Sequence, residues 1–292
     1  MRYKGISLLL IFFLLIGCRK EKTEEETVVQ RAKVLVKITQ VEKETIRKVL
    51  SYYGNVGGVK EAIVYPDIPG KLLRYEIKEG GVVKKDQVIA YLERSVPGVS
   101  YKPYPVKSPI SGVIGTLYLK PGQMAAPQIP LAFVSDISEL EVTFEIPETD
   151  VIHVKSGAKA IISLNKEIRY EGYVYRVSLV VDPVKRTSQV KVRFKRNPES
   201  LKPGMLVRGE IILEEHRDVI VVPENAIVEE KGSYFVFIVE DGIAKKRRIT
   251  KGLAYRGKVE IVEGLEEGEK VITLGASGLE DGQPVEVGGE ME

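Results

Sequence analysis

The sequence predicts a mainly β chain built from several small modules, and three observations carry that expectation. Residues 64–93 recur as residues 106–135 at a constant offset of 42, and the apolar positions of each copy mostly alternate as they do in strands. Later stretches such as ELEVTFEIP, AKAIISL, YEGYVYRVSLVV, SQVKVRFK and GMLVRGEIIL alternate in the same way, with turn signals between them. The composition is globular, with 43% hydrophobic and 29% charged residues, 27 Gly and 15 Pro. At roughly 150 residues per domain, 292 residues make about two domains, and more if the modules are small.

The first element is an export signal. Arg2 and Lys4 precede an unbroken apolar run from Leu8 to Ile16, little more than half of the about 20 residues needed to cross a bilayer core. Residues 1–17 are therefore expected to be a signal peptide. Leu15-Ile16-Gly17-Cys18 resembles the bacterial lipobox, which implies cleavage before Cys18 and a diacylglycerol thioether on its sulfur. Cys18 is the sole cysteine, so the exported part has neither a disulfide nor a thiolate for metal or catalysis. Residues 18–32, with RKEKTEEE after Cys18, are too polar to pack and form a lipidated, charged tether. At no more than about 3.5 Å per residue, the tether keeps the body near one membrane. The net charge of +3, two units of it from Arg2 and Lys4, leaves no electrostatic footprint for nucleic acid.

In the repeat, Val64/Val106, Ile68/Ile110, Gly70/Gly112, Lys78/Lys120, Gly80/Gly122 and Ala90/Ala132 are identical, and Leu72/Ile114, Ile89/Leu131 and Tyr91/Phe133 are conservative. Thirty residues cannot bury a core alone, so the halves should interlock about a pseudo-twofold axis. Gly70, Gly80, Gly112 and Gly122 are expected at structural turns that require positive φ.

The halves IPGKLLRYEIKEGGVVKKDQVIAYLE and ISGVIGTLYLKPGQMAAPQIPLAFVS resemble those of a biotinyl/lipoyl-type domain, here residues 63–135. In carrier domains of that type the segment between the halves displays a modified Lys. The joining segment here is RSVPGVSYKPYP, and Lys102 stands in it without the flanking pattern of such a Lys. The same module occurs in periplasmic adaptor subunits, or membrane fusion proteins, of the HlyD/RND-type adaptor family, where a long α-helical hairpin usually fills this point. Twelve residues with three Pro cannot form one.

Residues 136–214 suit a small antiparallel β-barrel with one short helix, Glu148 to Lys155, ended by Gly157. DPVKRTSQVKVRF and the Leu201…Gly204-Met205 phrase are similar to the adaptor-family barrel. Residues 215–292 resemble that family's membrane-proximal β-domain, through Val222-Pro223…Ala226-Ile227, the Gly232-to-Gly242 hairpin and Gly264-Leu265…Gly268. Residues 33–62 are expected to supply strands to these two later domains. Glu42 to Leu50 also fits a helix by periodicity, and strand is preferred.

No residue type gathers in a catalytic, cofactor-binding or metal-ligating pattern. His153 and His216 lie far apart and outside any metal spacing, and pairs such as Glu229-Glu230 and Glu266-Glu267 read as a solvated rim. Gly252 to Lys258 fits the start of a P-loop, but Val259 stands where the Mg²⁺-binding hydroxyl belongs and a strand follows instead of a helix. Lys245-Lys246-Arg247-Arg248 reads as the wet edge of a strand, with contact to anionic headgroups or an acidic partner as the alternative.

The resemblance implies an elongated, non-enzymatic, lipid-anchored adaptor on the periplasmic side of the envelope, at the inner membrane. Its implied partners are an RND- or ABC-type exporter and further copies of itself, as a hexamer or trimer of dimers. Without the hairpin, contact with an outer-membrane channel lacks the family's docking motif. Two other readings stay open: a lipoprotein that delivers a bound small molecule or polymer to a transporter, and a carrier component modified at Lys102.

Overall fold

The structure is a computed structural model that describes residues 33–94 and 102–290. Cys18, the signal peptide and the tether lie outside the described residues. The chain enters through β1 (Val34–Gln40), β2 (Glu42–Gly58) and β3 (Glu61–Val64). Thr45, Ile46 and Val49 favour the extended form, and β2 runs straight through the stretch whose periodicity also suits a helix.

The repeat follows as β4 (Gly70–Tyr75), β5 (Val82–Val83), β6 (Val88–Glu93), β7 (Tyr104–Lys107), β8 (Gly112–Leu117), β9 (Met124–Ala125) and β10 (Ala132–Ser135). They form two four-stranded sheets, ordered β3-β10-β8-β5 and β7-β6-β4-β9. The sequence offset carries β4 onto β8 and β5 onto β9 residue for residue, and one sheet order onto the other. Hydrogen bonds obey the same symmetry: Gly80 N–H donates to Ile114 O and Gly122 N–H to Leu72 O, both at 2.7 Å. Each half thus gives strands to both sheets, and only together do they enclose Leu72, Ile89, Leu92, Ile114, Leu131 and Val134.

Gly80 and Gly122 are turn residues with φ of +82° and +96°. Gly70 and Gly112 are not, which corrects the expectation of a positive-φ turn at all four. They open β4 and β8, where an added Cβ would lie 2.8 Å from Glu93 O and 2.5 Å from Ser135 O. Close approach of two backbones, not φ, demands glycine there.

Next come β11 (Leu140–Pro147), α1 (Glu148–Val151), β12 (Lys159–Ser163), β13 (Arg169–Asp182), β14 (Thr187–Phe194) and β15 (Leu206–Pro223). The ring β12-β13-β14-β11-β2-β15 closes through β12–β15 pairing into a six-stranded barrel. Alternate residues point inward, so Phe144, Ile146, Ile162, Val174, Val190 and Val192 fill it. The helix is one turn, shorter than the expected Glu148 to Lys155. After Val151 the chain tightens, with His153 N–H bonded to Asp150 O at 3.1 Å and Val154 N–H to Val151 O at 2.9 Å. That turns Val154 into the barrel end, and Gly157, at φ +86°, redirects the chain into β12.

A 3-10 turn (Glu224–Ala226) leads to β16 (Val228–Glu230), β17 (Ser233–Glu240), β18 (Ile243–Tyr255), β19 (Lys258–Glu263), β20 (Lys270–Leu274) and β21 (Gln283–Glu290). β18-β21-β1-β20-β17 closes into a second ring through β17–β18 pairing, with β1 parallel to β21. Val36, Ile38, Phe237 and Ile272 fill one part of this region, and Val222, Val236, Ile261 and Val271 another. The first strands therefore serve three cores: β1 the last ring, β2 the barrel and β3 the sandwich. β15 runs unbroken through residues 214 and 215, where a domain boundary was expected.

Candidate functional site

Among the described residues no group of three or more His, Cys, Asp and Glu side chains is placed to hold a metal ion. His153 is exposed beyond α1. Gly252 to Lys258 spans the end of β18 and the tight turn into β19, with Arg256 and Gly257 at φ +50° and +74°. The basic run lies on β18, where Lys245 pairs with Glu240, Lys246 with Glu230 at 2.6 Å and Arg247 with Glu269 at 2.5 Å. Lys246 also sits over the Phe235 ring, 4.5 Å from its centre.

What the fold does assemble is a junction between the barrel and the last ring. β2 and β15 pair from Leu206↔Asn55 to Val221↔Glu42, and this ladder is the direct track from one to the other. It is interrupted twice, between Ile212 and Glu214 and between His216 and Val219, so the strands kink where they leave the barrel. The β18–β19 hairpin folds back over the interruption: Tyr255 Oη donates to Val49 O at 2.7 Å.

On one side of the interruption His216 bridges two carboxylates, with Nδ1 2.7 Å from Glu260 and Nε2 3.1 Å from Glu214. Glu260 is buried and also accepts the Leu253 N–H at 2.8 Å. Gly252 makes room, since a Cβ there would run into the Glu260 carboxylate. The hydrogen bond to Glu260 raises the His216 pKa above its ordinary value, against the opposing effect of burial, and Glu214 adds to the rise.

On the other side Glu215 is largely buried and meets three cations. Arg47 Nε lies at 2.5 Å, Arg217 Nη2 at 2.8 Å and Lys159 Nζ at 3.5 Å. The Arg47 bond, joined by Arg217, holds the Glu215 carboxyl down at about 2 although burial acts the other way. Across a concavity of about 360 Å³ stands the exposed pair Lys195–Glu171, at 2.5 Å. Of the charged residues here only His216 was singled out from the sequence, since they are scattered over β2, β12, β13, β15, β19 and the residue after β14, and each alone reads as a surface charge.

Two further features lie outside that junction. At the β13–β14 tip Leu179, Val180 and Val184 are almost fully exposed, while Asp182 fixes the turn by accepting the Val184 and Lys185 N–H groups. Between sandwich and barrel the chain passes twice as short turns, held by Val59 N–H to Glu139 O at 3.0 Å and by Glu61, which takes Gly58 N–H at 2.7 Å.

Residues 219–287 match the family described as YknX, C-terminal permuted SH3-like domain. The chain is similar to the multidrug resistance protein MdtA of Erwinia amylovora, 27% identical over 192 residues, which covers 62% of this chain and 47% of that one. The MdtA of Salmonella typhimurium is 24% identical over 193 residues with the same shares. The chain thus spans about half the length of the curated relatives it matches. Among solved structures, MacA from Actinobacillus actinomycetemcomitans superimposes with a TM-score of 0.62 at 16% identity, over 80% of this chain and 98% of that one. ZneB from Cupriavidus metallidurans does so at 0.51 and 19%, over 84% and 94%. At such identities these two structures speak for a shared fold. Residues 219–287 thus carry the permuted SH3-like domain, the chain resembles the MdtA proteins over about three fifths of its length, and its fold is the one seen in MacA and ZneB.

Proposed function

We propose that the chain is a non-catalytic adaptor, lipid-anchored at Cys18 on the periplasmic side of the inner membrane, that assembles in several copies on an RND- or ABC-type exporter and supports outward passage of its substrate. The observation that carries this reading is the two-chain track: three separately filled cores are joined by two passes of chain, short turns between sandwich and barrel and the interrupted β2–β15 ladder between barrel and last ring. Such a chain positions surfaces relative to one another, and its polar clusters serve the joints instead of a reaction. The exposed apolar tip at Leu179, Val180 and Val184 supports the reading as a surface for a partner, because isolated aliphatic side chains are common on surfaces but three gathered on one hairpin tip are not. The exporter class, the anchor and the copy number belong to this proposal.

The test is a mild-detergent pull-down of the tagged full-length protein from native membranes, with mass spectrometry of what is retained. A stoichiometric RND or ABC permease is the expected result and names the energy source. Recovery of no transporter, while a known pump survives the same detergent, overturns the adaptor reading in favour of a ligand-delivering lipoprotein.

A further inference from the structure

We propose that the concavity beside Glu215 is a binding site for a phosphate group, carried by a phospholipid headgroup or present as a free anion. Arg47, Lys159 and Arg217 converge on the single Glu215 carboxylate, while the fourth cation, Lys195, is matched by Glu171. The cluster therefore holds two positive charges in excess on the wall of a cavity of about 360 Å³. Three cations that repel one another are held together by one largely buried carboxylate, which stores positive potential facing the opening. The hydrogen bond from Arg47, joined by Arg217, is also what holds the Glu215 carboxyl low.

The donors are also poised. Arg47 reaches Glu215 through Nε, so its two terminal nitrogens have no partner among the described residues. Arg217 spends Nε and one terminal nitrogen on Glu215, which leaves the other to donate. Lys159 lies 3.5 Å from the carboxylate, a loose contact for an ammonium group. Planar guanidinium forks with open donors beside a flexible ammonium suit a tetrahedral oxyanion. A bound phosphate would join Lys159 of the barrel strand β12 to Arg47 and Arg217 beside the kink, and so stiffen the joint. The site does not rest on the adaptor reading, and its test involves no transporter.

The experiment is calorimetric titration of the purified full-length protein in neutral detergent micelles, at low ionic strength, with two probes. One is inorganic phosphate and the other is dihexanoyl phosphatidylglycerol below its own micelle concentration. Both are expected to bind, more weakly as salt rises. Arg217→Gln and Lys159→Gln, at exposed positions, should each weaken binding by about tenfold. Lys185→Gln, at the opposite end of the β13–β14 hairpin, should leave it unchanged. Equal affinity for the two probes assigns the site to free phosphate, and tighter binding of the lipid assigns it to a headgroup. Binding of neither probe at millimolar concentration, or binding that Arg217→Gln and Lys159→Gln leave intact while circular dichroism shows them folded, overturns the proposal.

Discussion

The Phe144 ring lies against two strand positions that have no side chain. A Cβ on Gly54 would come 2.6 Å from its edge, and one on Gly209 would collide with its tip. Gly54 faces Phe144 directly across the β2–β11 ladder, and Gly209 sits on β15, so the ring is slotted over the backbone where three barrel strands meet. Alanine is ordinarily the better strand residue because glycine loses more backbone freedom on folding. Here overpacking wins: Gly54→Ala is expected to destabilise the barrel by about 1–3 kcal/mol, read as a lower denaturant midpoint. Gly54→Ala/Phe144→Leu should recover part of the loss, and a Gly54→Ala protein as stable as its parent would refute the slot. The sequence YYGNVGG carries no trace of this, because a glycine required by a distant aromatic looks the same as one required by a turn. Gly70 and Gly112 illustrate the same ambiguity, since the repeat marks them as equivalent to each other without revealing that they lie in strands.

At the scale of one element, β15 carries the junction, and its two histidine contacts make the joint sensitive to pH. The His216 pKa is raised in the folded chain by Glu260 first and Glu214 second. A raised folded pKa means that stabilisation is complete below the unfolded value of about 6.5 and is lost as pH rises through the folded one. Neutral His216 still donates from Nδ1 to Glu260, but its Nε2 lone pair then faces the Glu214 carboxylate. Glu215 behaves in the opposite sense: its contribution stands above the usual carboxylate range and is lost only as pH falls toward about 2. As pH rises from about 6.5 through the raised folded value, the joint therefore loosens through His216. The expected result is that hydrogen exchange of the Val219 and Leu253 amides quickens over that interval beyond the intrinsic rate, and that His216→Gln removes the change. The same pH slope in both proteins would exclude His216 as its source. The strand was legible from alternation, as was the repeat, because local patterning dictates each of them. The charges gathered around Glu215 were not: Arg47, Lys159, Lys195 and Arg217 are scattered across the chain, and only the closed barrel brings them together.

For the whole molecule, sandwich, barrel and last ring each have a core of their own, and β11, β14 and β15 surround the one that Phe144 fills. Phe144→Ala, which empties the barrel centre at a cost of about 3–5 kcal/mol, should therefore lower exchange protection along β11, β14 and β15 and leave the amides of β6 and β8 as they were. Loss of protection in all of them together would show a single cooperative unit instead. The pairing of β1 with β21, Val34 opposite Val285, also has a consequence for how the chain is made. A ribosome delivers β1 and β2 first, yet the ladder partners of β1 are β20 and β21, and the full length of β2 must wait for β15. The sandwich, whose contacts are local, is complete long before. From the completion of β10 until β20 and β21 follow, then, the emerging chain shows a finished module behind two unsatisfied strand edges, the condition in which a β protein most needs a holding chaperone.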